Sequence, residues 1–214
     1  MSSHLIYHPS RVIRTFDRTV VYHDRTSGNQ DPFIWNRSFL HTFCHMTQLR
    51  DPQPGDINFW VSSPQLRQFS TLSCDLVFVI SERHQWRERN SIEQDDPIID
   101  NLICYQDHYR WAMRQHPLRR RHRKTLKADP ERSFQPQASD GSLIDVVPLL
   151  RSMGYPISRL RESLINGHQS KPMAIGKAHA IALYNSIRQL AMRQLRGKTL
   201  ERIRARHPEL QSRW

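Results

Sequence analysis

An α+β fold is expected: a small mixed or barrel-like β-sheet in the N-terminal half, then a basic arm and a helical C-terminal half. Three observations predict it. Two β-prone apolar runs, Ile57 to Val61 and Leu76 to Ile80, lie close together in the first half. Between His108 and Gly141 apolar residues thin out while cations and prolines accumulate. From Ser142 onward apolar residues recur at helical spacing. These shifts divide the 214 residues into a β-rich domain (1–107), a basic connecting arm (108–141) and a helical region (142–214).

In chain order, Leu5 to Tyr7 and Val12 to Tyr22 alternate apolar and polar positions, with Asp17-Arg18 where a turn falls, and predict an N-terminal hairpin. His23 to Pro32 is rich in turn formers and poor in anything that packs, so it reads as a surface loop. Phe39, Leu40, Phe43, Met46 and Leu49 predict a helix capped by Asn36 and ended by Asp51-Pro52. Pro54-Gly55-Asp56 is a tight turn feeding the first core strand, and Leu76 to Ile80 is a second strand buried on both faces. Ile98 to Tyr105 is apolar enough for a further strand or short helix, and His108 to Arg114 continues as helix. Beyond Ser142, Leu143 to Arg151 and Ser158 to Ile165 are short amphipathic helices separated by Gly154 and Pro156. A longer helix runs from Met173 to Leu195, with Ala180, Leu183, Ile187, Leu190 and Ala191 on one stripe, and a last helix spans Leu200 to Trp214.

Charge narrows the function. Lys and Arg number 32 against 20 acidic residues, giving +12, so an anionic partner is expected, nucleic acid (DNA or RNA) ahead of a membrane surface. No apolar run approaches the roughly 20 residues of a transmembrane helix, and the first residues form no apolar signal, which predicts a cytoplasmic protein. Seven glycines include no dinucleotide or phosphate loop, so no cofactor is expected. Cys44, Cys74 and Cys104 lie too far apart for a knuckle or redox motif and read as buried thiols. His41 and His45 share a helical face beside Cys44 but have no nameable third ligand, so no metal is expected either.

The densest charge is Arg119, Arg120, Arg121, Arg123, Lys124 and Lys127, six cations in nine residues with no carboxylate among them. Such a run repels itself until phosphates neutralise it, a contact that positions a partner without specifying sequence. Aromatic residues are the second signal. Core packing is the ordinary fate of most, but Trp60 and Trp86 each sit where a strand passes into polar sequence, so they are expected as opposite walls of a cleft. Ser62 and Ser63 are expected to present polar groups there to a base edge. For catalysis, His23 with Asp24, and Asp75 with His84, are candidate acid/base pairs of a nuclease or base-modifying enzyme, an alternative from another class. A third alternative is a protein-partner adaptor built on the C-terminal helices.

A turn ending in Gly55-Asp56, a strand bearing Phe59, Trp60, Ser62 and Ser63, and the run Leu76 to Ile80 followed by a charged stretch with Trp86 form one pattern over residues 5 to 90. This pattern resembles the PUA-like group, which includes the EVE, ASCH and prokaryotic nucleotide-modification-associated domains. The resemblance implies a small β-barrel that binds RNA or modified DNA bases in an aromatic cleft, with bacterial members accompanying modification, restriction or antiviral defence. It also implies that Trp60, Ser62, Ser63 and Trp86 lie near the base. The helical region from Ser142 is not part of that pattern.

Overall fold

The Pro54-Gly55-Asp56 turn sets the register of the central strands. Gly55 adopts φ 90°, a left-handed conformation that glycine reaches without steric cost. Its N–H donates to the Ile80 carbonyl at 2.8 Å, while Ile80 N–H donates to the Asp56 carbonyl at 2.9 Å. The Asp56 carboxylate locks the turn from inside by accepting the Gln53 N–H at 2.9 Å. The strand that starts at Ile57 therefore leaves the turn already paired with its neighbour.

The computed structural model of the chain describes residues 3–8, 12–23, 40–41, 49, 51–63, 70–85, 124–164 and 172–206. Its strands are β1 (Ser3–His8), β2 (Val12–Phe16), β3 (Thr19–His23), β4 (Leu40–His41), β5 (Ile57–Ser62), β6 (Ser73–Gln85), β7 (Lys124–Ala128), β8 (Gln135–Gln137), β9 (Ile144–Asp145), β10 (Met173–Ile175) and β11 (Arg193–Leu195). Its helices are α1 (Val147–Ser152), α2 (Ile157–Leu164), α3 (Lys177–Leu190) and α4 (Gly197–Arg206). The main sheet runs β10-β1-β5-β6-β7-β4, with β9 also paired to β6. β1 and β5 are parallel and their other neighbours antiparallel, so the sheet is mixed. The barrel-like expectation is corrected: β10 and β4 end the path without pairing to each other, and among the described residues the sheet stays open.

β6 holds this sheet together because it is long enough to serve two partners. Its first part pairs with β5, and from Ile80 it pairs with β7, across a register shift between Ile80 and Glu82. A second irregularity opposite Trp60 and Val61 leaves Asp75 as the extra residue, and such a bulge bends and twists its strand.

Alternation along β1, β5 and β6 then builds two cores. Leu5, Tyr7, Phe59, Val61, Val77 and Val79 pack toward α1, α2 and α3. Ile6, Trp60, Leu76, Phe78 and Ile80 pack on the opposite face with Phe16 and Val21, Leu126, Leu195 and Ile203. The hairpin β2–β3, strand β11 and helix α4 thus contribute to the second face. The hairpin turns at Asp17-Arg18, both at positive φ (45° and 64°), the conformation its two-residue turn requires.

Several expectations change. β1 leaves the N-terminal hairpin and joins the main sheet. Leu40–His41, placed in a helix by spacing, is a strand against β7; residues 36–39 and 42–48 lie outside the described residues, as do 98–114. The arm 108–141 is not structureless after Lys124: Leu126, Ala128 and Phe134 are fully buried, because a short strand needs only alternate apolar positions to join a sheet. The long helix from Met173 is divided. Met173 and Ile175 alternate inward as a strand, Gly176 is extended (φ −58°, ψ 145°) at the start of α3, and the chain turns extended again at Ala191. Since β10 pairs with β1, the C-terminal part is not a purely helical region beside the sheet but supplies one of its edge strands. Among the described residues no helix is long and apolar enough to cross a membrane.

Candidate functional site

Ten polar side chains are buried among the described residues, and most lie along β1, β5 and the bulge of β6. Because burying a polar group without a partner costs about 1–3 kcal/mol, each is either a structural clip or a site.

One cluster is a set of clips. Gln135 on β8 accepts the Tyr22 N–H at 3.0 Å, and its Nε2 donates to the Tyr22 carbonyl at 2.9 Å and the Asp75 carbonyl at 3.0 Å. Gln137 Nε2 donates to the Val20 carbonyl at 2.7 Å and to Gln135 Oε1 at 3.2 Å. Tyr22 OH closes the set by donating to the Gly141 carbonyl at 3.1 Å. Burial, followed by the nearby Asp140 carboxylate, raises the pKa of the Tyr22 phenol above its ordinary value. These bonds fasten the β2–β3 hairpin to the bulge of β6. Next to the bulge, burial pushes the Cys74 thiol well above its ordinary pKa, with the Asp75 charge adding to the effect.

The second cluster lies at the start of the parallel pair. Register sets His4 beside Asn58, with Phe78 on the other side of Asn58 and Trp60 two residues on along the same face. His4 is 9 % exposed, Asp56 1 % and Asn58 0 %. Among the described residues, Asn58 Oδ1, Asn58 Nδ2 and Asp56 Oδ1 find no hydrogen-bond partner. Asp56 uses only its other oxygen, for the Gln53 N–H. On the opposite face Tyr7 is buried, which raises its phenol pKa while the Ser63 N–H hydrogen bond works in the other direction.

The sequence-derived candidates scatter over this frame. Trp60 is fully buried in the second core, so its indole offers no open face to a stacked base. Ser62 and Ser63 are buried at the far end of β5, 5 % and 3 % exposed. Trp86, Asp24, Arg119, Arg120, Arg121 and Arg123 lie outside the described residues. Lys124 opens β7 opposite Gln85, and Lys127 pairs with Glu82 at 3.4 Å. Of the four acid/base candidates, Asp75 is tied by its carbonyl to that of Tyr22, the residue before His23, through one Gln135 amide nitrogen that binds both, a backbone clip that brings no acid/base pair together. His84 stands nine residues beyond Asp75 on the same strand, about 30 Å if fully extended, and pairs with Thr125. Among the described residues no group of three His, Cys, Asp or Glu is placed to hold a metal.

Comparison of the chain with protein-family models, curated proteins and solved structures finds no match. The site must be read from its own atoms. Composition alone missed Asn58, yet a signal was present: an amide inside the otherwise apolar run Ile57 to Val61, at a position whose neighbours two residues away face the core.

Proposed function

We propose that this chain binds nucleic acid and holds the sugar-phosphate backbone with cationic side chains of its C-terminal elements. The observation that carries the reading is unneutralised charge. Residues 142–214 contain 13 Lys and Arg against 4 Asp and Glu, a net +9 of the chain's +12. Arg151, Arg159, Arg161, Lys177, Arg188, Arg193 and Arg202 are exposed, and none joins an ion pair among the described residues. Arg196 and Lys198 share Glu131, and Arg206 meets Asp17. Phosphates neutralise such cations and release condensed counterions, which makes the affinity salt-dependent. The basic run Arg119 to Lys127 adds to this surface in the proposal, since it leads directly into β7.

The cations fall into two sets, because α1 to α3 cover one face of the sheet while β11 and α4 belong to the other. The test is fluorescence anisotropy on DNA and RNA at rising salt, for the wild type and three variants. One neutralises Arg159, Arg161 and Arg188, one Arg193 and Arg202, and one Arg119, Arg120, Arg121, Arg123 and Lys124. Removing three phosphate contacts flattens the log–log salt slope by about 2 to 3 units. Unchanged slopes in all three variants would remove this reading. The PUA-like resemblance supports a base-reading role for the same protein, in RNA or modified DNA. Trp60 is not carried forward as the stacking wall.

A further inference from the structure

The turn between β7 and β8, helix α3 and the segment from β11 into α4 close a ring of contacts on the surface. Tyr184 OH of α3 donates to the Arg132 carbonyl at 3.2 Å. Past the end of that helix, Gln194 Nε2 donates to the Arg188 carbonyl at 3.4 Å, and Arg196 Nη2 donates to Gln194 Oε1 at 2.9 Å. Arg196 Nη1 then reaches Glu131 Oε2 at 3.5 Å, beside Arg132 where the ring began. Lys198 Nζ meets the other Glu131 oxygen at 3.7 Å. Asp129, two residues earlier, spends its Oδ1 on the Glu131 and Arg132 N–H groups at 3.0 and 3.1 Å. Arg188 comes from the set of cations on α1 to α3 and Lys198 from the set on β11 and α4, so the two sets meet at Glu131.

We infer that Glu131 stands in for a phosphate within the chain, and that a phosphate of bound nucleic acid displaces it from Arg196 and Lys198. The inference rests on the backbone-binding reading and deepens it, naming where a strand crosses from one set of cations to the other and which acid it displaces. Both contacts are longer than the roughly 2.7–2.9 Å of a tight charge-assisted hydrogen bond, so Glu131 saturates neither cation. The Glu131 side chain is 65 % exposed and that of Lys198 80 %, and exposed pairs of this kind add little to stability, so the carboxylate leaves at small cost. Arg132 and Arg188 are exposed and join no ion pair among the described residues, which leaves the ring with charge to spare for an anion. A phosphodiester offers two anionic oxygens, as the carboxylate does, and a guanidinium fork fits either.

The test is fluorescence anisotropy with the full chain on a single-stranded DNA oligonucleotide over a range of salt. Glu131→Gln keeps the size of the side chain and removes its charge. It is expected to tighten binding about eightfold at about 0.1 M salt, the worth of one phosphate contact with a slope near −0.9 over one decade, and to lose the gain near 1 M. Glu162→Gln on α2 removes the same charge outside the ring and is expected to change affinity by less than about twofold, since salt screens distant charges. The deciding comparison is a cycle: in a protein that already carries Arg196→Gln and Lys198→Gln, Glu131→Gln is expected to add nothing. An equal gain in that background means that Glu131 acts only through the field of the whole protein, and overturns the inference. Wild-type affinity for Glu131→Gln, or equal gains from Glu131→Gln and Glu162→Gln, overturns it as well. Should the double variant not fold, Lys198→Gln alone closes a smaller cycle, in which the gain is expected to shrink and an undiminished gain overturns the inference. Salt-dependent binding by the wild type with no effect at Glu131 leaves the backbone reading standing alone, whereas no binding by any of these proteins removes both.

Discussion

Trp60→Ala separates a core residue from a stacking wall. The indole is fully buried between Ile6 of β1 and Leu76 of β6, and its cluster extends to Phe78 and Leu126, so its removal opens a cavity inside the central sheet. Replacing a buried Trp by Ala costs about 3–5 kcal/mol, the lost transfer energy plus a cavity that relaxes only in part. Against a total stability of about 5–15 kcal/mol, that is a large share. For a chain of this size each kcal/mol moves the melting temperature by about 2–4 °C, so a fall of about 6–20 °C is expected. Urea unfolding followed by far-ultraviolet circular dichroism gives the free energy, and a thermal scan gives the temperature. Trp60→Phe, which leaves less empty volume, should fall between the two proteins. A wall of an open cleft behaves differently: its loss weakens ligand binding and leaves unfolding almost unchanged. A stability loss below about 1 kcal/mol for Trp60→Ala would therefore refute the packing described for the second face.

Three further outcomes are expected. Gly55→Ala places a β-carbon at φ 90°, a conformation that costs an L-residue about 1–2 kcal/mol, although no atom lies within 4 Å of the new carbon; denaturant unfolding should show that loss without a change in slope. Gln135→Leu leaves the Tyr22 backbone and the Asp75 carbonyl without their clip, at about 1–3 kcal/mol for each group left buried and unpaired; faster hydrogen exchange confined first to Val20–Tyr22 is the specific signature, and uniform exchange contradicts it. The Cys74 thiol and the Tyr7 and Tyr22 phenols have folded-state pKa values raised above the ordinary 9.0 and 10.0, so the unfolded chain loses these protons first as pH rises. Their contribution to stability is whole below 9.0 and is lost as pH climbs through the folded values; Cys74→Ala should flatten the onset of alkaline unfolding, and an identical alkaline limb would contradict the assignment to Cys74.

Those elements whose cause is local were legible in the sequence. The turn at Pro54-Gly55-Asp56 and the runs Ile57 to Val61 and Leu76 to Ile80 carry their own turn chemistry and β-propensity, and they fold as read. The hairpin at Asp17-Arg18 and the short helices near Leu150 and Leu160 follow for the same reason. Elements that exist only through a distant partner were missed. Leu126 and Ala128 are two apolar residues in a basic stretch, and only pairing with Ile80 and Arg83 of β6 makes a strand of them. Met173 to Ile175 continues a helical stripe in sequence, yet the free edge of β1 captures it as a strand. Long-range pairing of this kind has no periodic signature, since three residues are too few to show a period.

The site follows the same division. Aromatic side chains near polar sequence suggested an open cleft, but Trp60 belongs to the even positions of β5, which face the second core, and burial rather than sequence neighbourhood decides its role. The same parity that hides Trp60 also turns Asn58 inward, where an amide is costly and an apolar residue would be cheaper. Asn58 and Ser62 are the polar residues at the even, buried positions of β5, but only the register beside His4 and Phe78, with no hydrogen-bond partner among the described residues, shows that the Asn58 amide goes unanswered. Asn58→Leu removes that cost at nearly constant volume, so denaturant unfolding should show a gain in stability, and a loss would contradict the reading of Asn58 as an unpaired buried amide.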